Sequence, residues 1–207
     1  AYRVITWDER GFGGTRAEAD FTYWDSANDV LALMDHLKIE SAVVGGMSQG
    51  GFLSLRVALT APERVKALIL LDTQAGTEDP ATIEPYNQLH AAWVEHGAVA
   101  VQDIIGGIIL GPGEWSEWFA KWGAMQPDQF SKAFNCLMHR DDVTSRLGEI
   151  ACPALIVHGT ADVAIGMDRA EVLRDSLAGP TTLVAIEGGP HAANMTHAEP
   201  VNAAILQ

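Results

Sequence analysis

The chain has 207 residues, 48% of them hydrophobic and 19% charged, enough to bury a sizeable core and too apolar for a disordered or fibrous protein. Lys and Arg number 13 against 27 Asp and Glu, a net charge of −14. A field of that sign repels phosphate backbones and anionic lipid, so neither nucleic acid nor a membrane surface is an expected partner.

Tyr2–Trp7 reads as a short strand, closed by the glycine-rich turn Asp8–Gly14. Residues 25–37 place Val30, Leu33, Met34 and Leu37 at helical spacing, and Ala42–Val44 is a buried strand. Phe52, Leu55 and Leu59 form the stripe of a helix that Pro62 stops, and Lys66–Leu71 is a strand covered on both faces. This β-α-β-α-β order calls for a parallel sheet with right-handed crossovers.

From Gln74 to Arg146 strand signals vanish, and residues 75–146 read as a helical cap inserted into a core of 1–74 and 147–207. Trp115, Trp118, Phe119 and Trp122 share one helix face there, a stripe expected to be the cap's own core rather than a substrate wall. His36, His90, His96 and His139 lie in helical stretches without convergent partners and are read as structural, while Arg10 braces its own loop. The rhythm resumes with strands at Ala154–Val157 and Thr181–Ile186, and Thr196-x-x-Glu199 reads as a capping box for the last helix. Cys136 and Cys152 show neither disulfide-scaffold nor metal-ligand spacing. With no signal peptide legible, they suit a cytoplasmic protein. The apolar runs Ala67–Leu71 and Ile104–Leu110 are too short to span a bilayer.

Chemistry gathers at Gly46-Met-Ser-Gln-Gly-Gly51, between a strand and a helix. That is the spacing of a nucleophile elbow, which holds a serine on a strained turn. Cβ atoms at 46 and 50 are expected to collide with the crossing backbones, and the Gln49 N–H is expected to form half of an oxyanion hole. A serine hydroxyl needs a neighbouring imidazole to take its proton, and the imidazole needs an acceptor to fix its tautomer. His158-Gly-Thr-Ala-Asp162 and Glu187-Gly-Gly-Pro-His191 each follow a strand, so Ser48, Asp162 and His191 converge at the carboxyl ends of a parallel sheet. Asp72 ends its own strand and stays a rival for the acid. His197 reads as a surface or cap residue.

Through Asp8–Gly13, Gly46–Gly51, His158–Asp162 and Gly188–His191 the chain resembles the α/β-hydrolases, in the branch of capped esterases, lactonases and cofactor-free haloperoxidases. The resemblance covers about 1–74 and 147–207. It implies an α/β fold with a parallel sheet of about five strands and a helical cap, and a Ser48–Asp162–His191 triad. It calls for no metal or organic cofactor. The family carries three strands ahead of the first one here, and a loop among them supplies the second oxyanion donor. The gap is expected to be closed by polypeptide outside this sequence, by a second copy in a homodimer, or by the Gly11–Gly14 loop. In the last case Arg3–Trp7 pairs directly with Ala42–Val44, and Phe12 or Gly13 becomes the second donor.

The expected activity is hydrolysis of a small neutral or apolar ester or lactone through an acyl-enzyme, in a modest apolar pocket under the cap. Acyl transfer or perhydrolysis would use the same triad. The rival reading is a small-molecule binding or receptor protein, or a degenerate hydrolase with little turnover for want of the oxyanion loop.

Overall fold

The computed structural model describes residues 2–207. Four runs rich in Val, Ile and Leu pair into one parallel sheet in the order β1 (Ala42–Met47), β2 (Val65–Leu71), β3 (Ala154–Gly159) and β4 (Thr181–Ile186). Ile156 sits between Leu70 and Leu183, which sets the register across the centre. Alternation divides the strands between two cores. Leu68, Leu70, Ala154 and Ile156 point into the larger one, with α1 (Tyr23–His36), α2 (Gln49–Thr60) and α7 (Met167–Ser176). Leu71 and Val157 point the other way, onto Ala193 of α8 (Ala193–Thr196) and Val201 of α9 (Ala198–Ile205). α2 is buried from Gly51 to Ala58, so it is a central helix enclosed on all sides and not one with a single buried stripe.

Between β2 and β3 come α3 (Pro80–His96), α4 (Gln102–Ile109), α5 (Ser116–Gly123) and α6 (Pro127–Met138). Asp79 caps α3 by accepting the Ala81 N–H, and Pro80 fits a first-turn position that needs no donor. α3 packs on α6 through stacked rings, Trp93 on Phe130 at 4.0 Å and His90 on Phe134 at 4.3 Å. The two roots of this insert are tied together. Val143 N–H donates to the Ala75 carbonyl, and Arg140 donates to the Gly76 carbonyl and the Glu78 carboxylate. The Arg140 guanidinium also lies 4.3 Å from the centre of the Phe52 ring.

Two expectations need correction. Arg3–Trp7 does not pair with Ala42–Val44, since residues 2–9 join no ladder, and the parallel sheet has four strands among the described residues. The cause is the turn that follows, which is anchored elsewhere: Arg10 holds Asp29 of α1 at 2.7 Å, and Ala17 N–H donates to Gln129 of α6. Thr196 and Glu199 form no capping box, since the Thr196 hydroxyl bonds the Ala192 carbonyl and the His197 ring. The capping box lies instead at Thr22 and Asp25, and starts α1 two residues earlier than its apolar spacing suggests.

Candidate active site

Ser48 stands at the junction of β1 and α2 with φ 51° and ψ −112°, a backbone conformation that costs a non-glycine residue roughly 1–3 kcal/mol. Hydrogen bonds hold it there. Its N–H donates to Leu71 O, and its carbonyl accepts from the Gly51 N–H and the Thr73 hydroxyl. The close approach of strand and helix leaves no room at Gly46, where a Cβ would lie 2.5 Å from the Gly50 carbonyl carbon. At Gly51 it would lie 2.4 Å from Thr73 Oγ1. Gly50, expected to be tight, has open space in that direction. The Gln49 N–H is the first amide of α2, where helix donors lack intrahelical partners. Its side chain is held by Tyr23, whose buried hydroxyl donates to Gln49 Oε1 at 2.8 Å.

His191 and Asp162 arrive on two loops that are joined to each other. Ala161 N–H donates to Gly189 O, and Gly188 N–H donates to the Thr160 hydroxyl. A Cβ on Gly159 would fall 2.2 Å from Gly189 O, so this close approach requires glycine. The result is a hydrogen bond of 2.8 Å between His191 Nδ1 and Asp162 Oδ2. Asp162 Oδ1 accepts the Ala164 and Ile165 amides, which fixes the carboxylate plane. His191 and Ser48 line the same cavity, but no hydrogen bond joins them among the described residues. Hydrogen bonds of this kind often tighten only when substrate binds.

Asp72 lies behind this pair at the end of β2, 1% exposed and at φ 45°. Its Oδ1 accepts the Gly159 N–H at 2.8 Å, while its Oδ2 has no protein partner. Burial pushes its carboxyl up to about 7; the Gly159 N–H draws it back and neighbouring Asp162 adds to the rise. His158 is fully buried, donates from Nε2 to Ile165 O, and is held below its ordinary pKa by burial. Asp72, His158 and Asp162 each bring a donor atom within 4.8 Å of the others. Asp162 already gives one oxygen to His191 and the other to two amides, so both its carboxylate oxygens are engaged within the protein.

The cavity in front measures about 860 Å³, far from the modest pocket expected. Ser48, Gln49 and His191 line it together with Trp93, Ile109, Phe130 and other residues of the insert. Trp118 and Trp122 line it too, so the tryptophan stripe is wall as well as core. His90 also reaches it, having been read as merely structural. Phe12 and Gly13 line the side next to Gln49, but the Phe12 N–H is already donated to Glu9 O, which removes Phe12 as a second oxyanion donor. Gly11 and Gly14 amides are also spent, on Thr15 O and Asp8, leaving Gly13, alone among residues 11–14, with an amide that has no protein partner among the described residues. Arg10 braces its loop against α1, and Cys136 is a buried thiol pushed up to about 12 by burial. Sequence reading missed Tyr86, whose phenol enters the cavity from α3; burial and the nearby Glu78 and Asp162 charges raise its pKa. Neither Tyr86 nor Glu78 stands in a motif, so only the folded insert identifies them.

A family model described as alpha/beta hydrolase fold matches residues 1–198. Over its whole length the chain is 27% identical to 82% of a protein of Agrobacterium fabrum provisionally named carbamate hydrolase RutD. A hydrolase from Pseudomonas aeruginosa PA01 superposes with a TM-score of 0.83 at 25% identity, over 96% of this chain and 76% of that one. The enol-lactonase from Burkholderia xenovorans LB400 superposes with a TM-score of 0.86 at 23% identity, over 96% and 77%.

Proposed function

We propose, from the premise that the chain belongs to the α/β-hydrolase fold family, that it is a serine hydrolase of neutral carboxylic esters or lactones with a bulky apolar acyl group. The observation that carries this reading is the 2.8 Å His191–Asp162 pair facing the same cavity as a strained Ser48. Ser48 Oγ adds to the acyl carbon while His191 Nε2 takes its proton, and Asp162 stabilises the imidazolium that forms. The oxyanion is held by the Gln49 N–H, with Gly13 as second donor. Collapse expels the alkoxide, which leaves with the proton from His191; water then attacks the acyl-enzyme by the same route in reverse. The helices of residues 75–146 act as the cap, and their rings, with a cavity of about 860 Å³, suit an acyl group well above acetyl in size. A carbamate carbonyl, as in the printed name of the Agrobacterium relative, is open to the same attack.

The test is intact-mass detection of a fluorophosphonate adduct, with hydrolysis of p-nitrophenyl hexanoate alongside. Wild type is expected to label once and turn over, and Ser48→Ala to lose labelling and at least about 10³-fold in rate. An unlabelled Ser48, or equal rates in the two proteins, refutes the reading and leaves a binding protein.

A further inference from the structure

Asp72 is the one buried carboxyl beside the catalytic pair that the mechanism above leaves unused. It closes β2 at a positive φ of 45°, uncommon outside glycine though tolerated better by aspartate than by most residues, and it is 1% exposed. One oxygen binds the Gly159 N–H, at the root of the loop that carries Asp162. The other oxygen is buried with no protein partner. The titratable groups around it are His158 and Asp162 at the end of β3 and His191 beyond β4, with Tyr86 facing Asp162 from the insert. No Lys or Arg is among them; among these groups only the imidazoles of His158 and His191 can carry the opposite charge, and burial disfavours the charged form of His158.

We propose that Asp72 is a positioning residue: its carboxyl clamps the Asp162 loop by accepting the Gly159 N–H, most firmly when ionised, and the ionised form adds a second negative charge beside Asp162 that stabilises the His191 imidazolium during turnover. The proposal rests on the serine-hydrolase reading for its second half. The first half is geometric and independent of it. The ionisation falls near neutrality because burial lifts the carboxyl to about 7. A charge gained there, in a site screened from water, acts on the imidazolium far more strongly than a surface charge would.

Asp72→Asn keeps an oxygen for Gly159 and removes the ionisation. The ratio of wild-type to Asp72→Asn kcat/KM is expected to climb about tenfold between pH 5.5 and pH 8.5, the equivalent of one pKa unit of interaction. A ratio that stays flat across that range overturns the proposal, since a purely structural defect lowers activity equally at every pH. A second measurement needs neither the variant nor turnover. In wild type the side-chain 13C resonance of Asp72 is expected to titrate near pH 7, and the ring resonances of His191 to shift with the same midpoint. A His191 signal blind to that midpoint, or an Asp72 that titrates below pH 5, overturns it as well. An inactive protein that still showed the shared midpoint would refute the hydrolase reading and leave the coupling standing.

Discussion

A carboxyl at Glu9 has lost most of its water without gaining a cation. Burial pushes it up to about 7 against 4.5 in an exposed chain; Ser26 pulls it back a little and Asp29 adds to the rise. One of its oxygens is buried with no protein partner. The folded state therefore binds this proton more tightly than the unfolded state does. Between about pH 4.5 and 7 the native form holds more protons, so stability must fall as pH rises through that window. The full loss is about 3 kcal/mol, from 2.5 units at 1.36 kcal/mol each. Asp72 pushes in the same direction. Glu9→Gln is expected to melt at a similar temperature to wild type at pH 5 and several degrees above it at pH 8, followed by calorimetry. Identical melting differences at the two pH values would show that Glu9 is not protonated in the fold.

The three glycines of the elbow are not equivalent, and substituting each tests how β1 and α2 meet. Gly46→Ala and Gly51→Ala would place a Cβ inside the Gly50 backbone and Thr73 respectively, and each is expected to cost about 1–3 kcal/mol in urea unfolding and to lower activity. Gly50→Ala meets open space in a helix and is expected to be neutral, or to gain up to about 1 kcal/mol. Equal destabilisation at all three sites would contradict this geometry. The Gly-x-Ser-x-Gly spacing was readable in the sequence because strand, turn and helix follow one another there. The crowding of Gly46 was readable too, since it comes from Gly50 in the same motif; that Gly51 is crowded and Gly50 is not was not, because the crowding at Gly51 comes from Thr73, beyond the end of β2. That Asp162 and His191 lie near each other was readable for the same local reason as the elbow: each follows a strand in a parallel order. Tyr2–Trp7 misled because an apolar run makes a strand only with a partner, and the Arg10–Asp29 and Ala17–Gln129 contacts hold it away from β1. The tryptophan stripe misled in a milder way. Helical spacing says which residues share a face, not what fills the space in front of it.

Taken whole, the molecule is a strongly negative body, −14 in net charge, around a largely apolar cavity. Under the proposed function, the field and the cavity are expected to select in the same direction, against anionic acids and in favour of neutral, greasy ones. Among p-nitrophenyl esters the kcat/KM optimum is expected at six to ten acyl carbons by a rough volume match, with acetate at least about tenfold poorer. A monoanionic ester of matched length should fare worse still, and raising salt from about 20 to 200 mM should narrow that gap. An optimum at acetate, or a preference for the anion, would oppose this account of the cavity. Residues 75 and 143 lie side by side, joined by a backbone hydrogen bond, with Arg140 clasping Glu78 just beyond them. A segment whose two ends already touch can be exchanged for another without rerouting the chain beneath it, because ring closure adds little entropy cost. Under the proposed function, selectivity is therefore expected to be portable: a foreign helical segment grafted between Ala75 and Val143, with Gln129 and Asp141 kept for their bonds to Ala17 and Arg56, would bring its own preference to the same reacting groups.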